Sequence, residues 1–264
     1  FDTSEVDRGY TKHGVFLESL ALEGDFQNLR VERGLVRYGF RRLSFAIQSR
    51  LNKSRWPVWA SPVYTAKEVG WSPLHEQRAG PGVTLRGYFA SYRYFQSSGL
   101  SLKDGFRPKS PSIFYRSKSK ELRSIRWIAV HLRRGDYVSL QDKYGLCGPE
   151  YFKSAFRSLK GRDTYSRVVV FSDDISAAEE LLKGAFDLPV EFIKPPQGSG
   201  AEESLLLMTL ASAHIISNSS FSLWAALLSA TTEVVIYPEP WHKGMDTPVE
   251  LIPPSWKPIS ANFV

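Results

Sequence analysis

This 264-residue sequence predicts an α/β protein whose second half is a Rossmann-like parallel sheet. Three observations carry that expectation. From Trp127 onward, apolar runs of strand length alternate with helix-period segments, and such alternation calls for parallel strands joined by crossover helices. Three of the runs end in polar residues rather than in Gly or Pro turns. The composition, 42% hydrophobic and 23% charged, leaves ample apolar material for a core.

The strands are expected at Trp127-Ile128-Ala129-Val130, Val168-Val169-Val170-Phe171, Val190-Glu191-Phe192-Ile193, Ala213-His214-Ile215-Ile216 and Val234-Val235-Ile236. Helices are expected between them, at Pro149 to Lys160, Ser176 to Phe186, Glu202 to Ala211 and Phe221 to Ser229. Residues 1–118 read less regularly. They hold an amphipathic stretch from Tyr38 to Leu51, scattered Trp and Pro from Trp56 to Pro73, and one short strand at Val83-Thr84-Leu85. Lys109 to Ser124 is basic and serine-rich, the composition of a connector running into a short helix. A boundary near Lys118 therefore divides an N-terminal domain, 1–118, from a C-terminal domain, 119–264.

Composition also excludes classes. No apolar run approaches the roughly 18–20 residues of a membrane-spanning helix, and no signal-peptide pattern opens the chain. A soluble, cytoplasmic protein is expected, with peripheral membrane contact left open. The formal charge of +7 favours an anionic partner. Its basic residues are spread over the whole chain without a nucleic-acid motif, so nucleic acid is not the expected one. Cys147, the single cysteine, cannot form an internal disulfide and reads as a small turn residue rather than a nucleophile.

In open parallel sheets ligands bind beyond the carboxyl ends of the strands. Here those ends run into His131-Leu132-Arg133-Arg134-Gly135-Asp136, into Ser172-Asp173-Asp174, and into Ser217-Asn218-Ser219-Ser220-Phe221-Ser222. Two guanidinium forks at a strand exit suit a diphosphate, and Asp136 is spaced to hold one of them. The alternative is a pair of surface charges beside a turn. The serine-rich turn before Phe221 offers free amides and a helix dipole to an anion, although hydroxyl caps at helix starts are common without any ligand. Asn218-Ser219-Ser220 matches a glycosylation sequon, discounted at a strand-to-helix crevice. Asp173 and Asp174, adjacent on an extended segment, point apart and make a poor metal pair. His131 can meet the ligand, whereas His214, within an apolar strand, reads as a core residue; His13, His75 and His242 lack metal-site spacing.

His131-Leu132-Arg133-Arg134-Gly135-Asp136-Tyr137 resembles the His-x-Arg-Arg-x-Asp signature of the α1,2-fucosyltransferases, glycosyltransferase family 11. Gly87-Tyr88-Phe89-Ala90-Ser91-Tyr92-Arg93-Tyr94-Phe95 is similar to that family's aromatic segment, and Phe171-Ser172-Asp173-Asp174 to its second-strand exit. Ile216 to Trp224 is similar to its closing block, continued by Pro240-Trp241 and Pro254-Ser255-Trp256. The resemblance runs from about Tyr88 to Trp256 and is loose over residues 1–80. It implies a GT-B-like fold of two Rossmann-like domains, with the donor in the C-terminal one. It further implies that Arg133 grips the β-phosphate of GDP-fucose, supported by Arg134 and Asp136, these three being the catalytic group.

By the same resemblance His131, Asn218, Ser219, Ser220 and Phe221 line the donor site, with Asp173 and Glu203 toward the nucleoside. Tyr88, Phe89, Ser91, Tyr92 and Arg93 lie on the acceptor side, where such an aromatic run also serves packing. The implied reaction is inverting transfer of fucose to a galactose-terminated glycan, with no metal or other cofactor. A non-catalytic GDP-sugar-binding domain and a fucosyltransferase of other linkage are the competing readings. Family members open with a glycine-rich Gly-Gly-x-Gly-Asn-Gln stretch that does not occur here, and Phe1-Asp2-Thr3-Ser4 lacks an initiator methionine. The N-terminal domain is accordingly expected to be incomplete, with the general base in the missing part and transfer by the 264 residues alone poor.

Overall fold

The structure, a computed structural model, describes residues 20–21, 63–67, 69–78, 84–87, 89–94, 106–197 and 199–264. The amphipathic stretch from Tyr38 to Leu51 and Tyr88 lie outside the described residues. The chain forms two compact units, one of residues 1–15, 24–97 and 248–251, the other of 16–23, 98–247 and 252–264. The division therefore falls near residue 97, and Lys118 sits inside an unbroken helix of the second unit.

The second unit is built on six parallel strands in the order β10-β9-β8-β5-β6-β7. These are β5 (Trp127–Leu132), β6 (Arg167–Ser172), β7 (Val190–Phe192), β8 (Ala213–Ile215), β9 (Val234–Glu239) and β10 (Lys257–Ser260). A further short pair joins β1 (Leu20–Ala21) antiparallel to β4 (Arg107–Pro108). In the first unit β2 (Val63–Thr65) pairs in parallel with β3 (Thr84–Arg86), beside the helix α1 (Pro73–Arg78). The strand expected around Thr84 is thus present.

Every residue of β5 is buried, as expected of a central strand covered on both faces. Its side chains alternate between two cores. Ile128, Val130 and Leu132 join Val168, Val170, Ile215 and Ile236 under Tyr151, Phe152, Ala155 and Phe156 of α4 (Pro149–Arg157) and Ala178 of α5 (Ile175–Leu181). Trp127 and Ala129 join Val169, Phe171 and Ile193 on the opposite face, under Leu122 of α2 (Ile113–Arg123), Leu207 and Met208 of α6 (Ala201–Met208) and Ala225 of α7 (Ser220–Leu228). The spacing of Tyr151, Phe152, Ala155 and Phe156 gives α4 its apolar stripe, and Pro149 opens the helix where its missing N–H costs nothing. Truncating Phe152 to alanine removes about 3–5 kcal/mol of packing.

The strand order places β5 and β8 side by side while the chain leaves them in opposite directions, β5 toward β6 and β7, β8 toward β9 and β10. That is a topological switch point, where an open α/β sheet presents a crevice at its carboxyl edge. Among the described residues no helix is long and apolar enough to cross a membrane.

Candidate functional site

The crevice is bounded by the segment after β5 and the segment after β8. His131 Nδ1 and Ser217 Oγ share a 3.0 Å hydrogen bond across it. The imidazole also lies 5.3 Å from the Phe221 ring, which opens α7. Burial and the nearby Arg133 charge push the His131 pKa down to about 3, so the ring is neutral at ordinary pH. Neutral, it stiffens the crevice floor without repelling the arginines above.

After β5 the chain enters a 3-10 turn, Gly135–Leu140, followed by the short helix α3 (Gln141–Tyr144). Arg133 Nη2 pairs with Asp136 Oδ1 at 2.5 Å and Nη1 with Asp173 Oδ2 at 3.0 Å. Asp173 also accepts the Arg134 amide at 2.8 Å, so one carboxylate from the β6 exit anchors the arginine segment twice. The approach is close enough to require glycine next door, because a Cβ at Gly135 would lie 2.3 Å from Asp173 Oδ2. Asp174 has a separate task, capping α5 by accepting the Ala177 amide at 3.0 Å.

Arg134 contrasts with its neighbour. Its Nε and Nη1 are buried and have no hydrogen-bond partner among the described residues. Arg134 as a whole is half-buried, and its two buried, unused donors carry a desolvation cost that a bound anion offsets. The charges agree. Arg133 lies between two carboxylates and is more than neutralised by them, whereas Arg134 and the start of α7 remain to attract an anion. The resemblance gave the grip to Arg133 and the support to Arg134; the geometry gives Arg133 two carboxylate partners and leaves the open donors on Arg134.

The serine segment is equally specific. Ser219 is the N-cap of α7, its Oγ accepting the Phe221 amide at 3.3 Å, and Ser220 is exposed beside it. Ser222 donates back to Ser219 O at 3.1 Å. The remaining first-turn amides have no intrahelical partner, as at any helix start. Asn218 is 2% exposed, and its Nδ2 donates to Tyr144 O at 2.7 Å and Gly145 O at 3.2 Å. It therefore braces the segment after α3 rather than reaching a ligand, and its burial removes it as a glycosylation acceptor. Cys147 faces Asn218 Oδ1 at 3.7 Å, and burial pushes its thiol up to about 12, which is no nucleophile.

Two further residues have structural partners. Glu203, expected near a nucleoside, is buried with both oxygens on Ser112, one taking the amide at 2.7 Å and the other the hydroxyl at 2.6 Å. It secures the N-cap of α2, and a ligand contact would break that clamp. His214 is satisfied in the core as expected, bonded to Thr232 Oγ1 at 2.8 Å and Met208 O at 2.9 Å, with burial lowering its pKa to about 4.

Of the acceptor-side residues, the described ones belong to the first unit and pack within it. Ser91 Oγ donates to Glu250 O at 2.7 Å, and Arg93 Nη1 meets the Glu250 carboxylate at 2.8 and 2.9 Å. The Arg93 guanidinium also lies 4.2 Å over Trp71. Phe89 packs edge-on to His75 at 5.2 Å, while Tyr92 is partly exposed. Sequence reasoning missed Glu250, whose partners lie 157 and 159 residues away, and it missed Tyr137 and Tyr144, whose only signal was their place just after the arginine motif.

The model of the family described as Glycosyl transferase family 11 matches residues 71–247. An alpha-1,2-colitosyltransferase of Escherichia coli is 35% identical over 61% of this chain and 57% of its own. A galactoside 2-alpha-L-fucosyltransferase, SEC1 of Bos taurus, is 25% identical over 75% of this chain and 60% of its own. The chain spans about three-fifths of the length of these two relatives. Among solved structures, POFUT1 in complex with GDP overlaps at a TM-score of 0.38 and 15% identity, covering 62% of this chain and 57% of its own. The fold assignment rests on strand order and not on that overlap.

Proposed function

Because the chain belongs to glycosyl transferase family 11, we propose that it moves fucose from GDP-fucose to a hydroxyl of a galactose-terminated glycan, forming an α1,2 linkage with inversion at the anomeric carbon. The observation that carries this reading is Arg134, with buried, unpartnered donors at the switch point of a parallel sheet. As the bond from fucose to the diphosphate breaks, negative charge grows on the β-phosphate. Arg134 and the first-turn amides of α7 stabilise that charge from fixed positions, the arrangement that lowers a barrier most. Arg133, held by Asp136 and Asp173, keeps the segment in place. In this reading Arg134 and the helix-start amides meet the diphosphate, so donor binding requires no divalent metal. Ser219 and Ser220 border the phosphates, and Phe221 with His131 forms the floor.

Colitose is the second donor reading, favoured by the higher identity to the colitosyltransferase than to the galactoside fucosyltransferase. Thermal unfolding with GDP, GDP-fucose, UDP and ADP, each in EDTA, tests the proposal. The guanosine nucleotides should raise the midpoint, since ligand at 100 times its Kd adds about 2.7 kcal/mol. Equal shifts with UDP, or shifts abolished by EDTA, would refute it.

A further inference from the structure

The Arg133 guanidinium has a third neighbour besides its two carboxylates: its central carbon lies 5.5 Å over the Tyr137 ring. Tyr137 stacks on Tyr144, with centroids 4.9 Å apart and planes 18° from parallel. Tyr144 in turn meets His242 at 5.3 Å. Hydrogen bonds tie the same groups together. Tyr137 Oη donates to Asn218 O at 3.3 Å, Asn218 Nδ2 to Tyr144 O at 2.7 Å, and the Lys243 amide to Tyr144 O at 3.2 Å. The segments following β5, β8 and β9 thus converge on Tyr144. Burial pushes the Tyr137 hydroxyl up to about 12, which keeps it a neutral donor to Asn218.

We infer that Tyr137 and Tyr144 are positioning residues, a ring column that sets the plane of Arg133 and locks the arginine segment to the serine segment. The inference rests on the reading of this crevice as a diphosphate site. Carboxylates at Nη1 and Nη2 grip a guanidinium along its edge and leave it free to tilt. The Tyr137 ring, with the guanidinium carbon over it at 5.5 Å, restricts that tilt. With Arg133 fixed in both senses, the segment that carries Arg134 loses little entropy when the anion arrives, which is how preorganisation raises affinity. Tyr144 supports Tyr137 from behind and, through its carbonyl, holds Asn218 in register with Ser219.

The test is GDP affinity by calorimetry for Tyr137→Ala, Tyr137→Phe, Tyr144→Ala and Tyr144→Phe in the 264-residue chain, alone and combined with Arg133→Lys. Near-UV circular dichroism checks that each variant folds. Both alanine variants should bind GDP roughly tenfold more weakly, the size expected for losing a cation–π contact on a partly desolvated cation. Both phenylalanine variants should stay within about threefold, because the ring remains. In the Arg133→Lys background the alanine losses should shrink to under about threefold, since lysine offers no plane to orient. Tyr137→Ala binding at wild-type affinity would overturn the inference, as would a full tenfold loss persisting beside Arg133→Lys. Absence of GDP binding by the unmodified chain would instead sink the diphosphate reading beneath it, a separable failure.

Discussion

Gly135→Ala is a small change with a worked consequence. The added Cβ would sit 2.3 Å from Asp173 Oδ2 and 3.2 Å from its Cγ, well inside contact distance, so the carboxylate must move. Asp173 is a short side chain held from two sides, by the Arg134 amide at 2.8 Å and Arg133 Nη1 at 3.0 Å. Moving it breaks both. A hydrogen bond to a charged group is worth about 1.5–3 kcal/mol, and the Asp173 side chain is 25% exposed, so water compensates part of the loss. A net cost of about 2 kcal/mol in folding stability is expected, with GDP affinity falling because the arginine segment loses its anchor. Urea unfolding and calorimetry read the two effects. The cause is separable. In an Asp173→Ala background the glycine change should cost under about 0.5 kcal/mol, because nothing remains to collide with. An equal penalty in both backgrounds would show that the collision is not the reason for the glycine.

Three more outcomes follow from the same geometry. His131 and His214, with pKa values held near 3 and 4 against an unfolded value near 6.5, bind fewer protons folded than unfolded, so stability is full above about pH 6.5 and falls as the medium is acidified. Each should cost about 2 kcal/mol between pH 7 and pH 5; urea titrations flat across that window would contradict it, and replacing either by glutamine should remove about half the slope. Asn218→Ala leaves the Gly145 carbonyl without its donor and the Tyr144 carbonyl with the Lys243 amide alone and should lower stability by about 1–2 kcal/mol, seen as a lower urea midpoint; an unchanged midpoint would show the brace to be idle. Glu203→Gln, which keeps the shape but weakens the charge-assisted clamp on Ser112, should lower stability by about 1–2 kcal/mol while GDP affinity by calorimetry stays within twofold; a selective affinity loss would return Glu203 to the nucleoside.

β5 and β6 were legible because a parallel strand buried on both faces must be apolar along its length, and Trp127 to Val130 and Val168 to Phe171 are. β10 was not, since Lys257-Pro258-Ile259-Ser260 is a mostly exposed edge strand with no apolar run to announce it. α2 read as a connector because only Leu122 is buried among its basic and serine residues. At the site, the motif located the arginines, but spacing cannot say which of two adjacent guanidiniums faces Asp173, a residue from another strand. Glu203 went to Ser112 for the same reason, a partner 91 residues away. Stacking of Tyr137 on Tyr144 needs the 3-10 turn between them, which carries no sequence signal of its own.

The central claim is that Arg134, with its buried unpartnered donors, binds a nucleoside diphosphate at this switch point. Calorimetric titration of GDP into the unmodified chain and into Arg134→Ala, both in EDTA, tests it most directly. The unmodified chain should bind one GDP, and the variant should lose at least about tenfold in affinity while its urea midpoint holds, because the half-buried Arg134 side chain has no hydrogen-bond partner at Nε or Nη1 to lose. Equal GDP affinity for the two proteins, or loss of binding tracking a fall in the midpoint, would contradict the account.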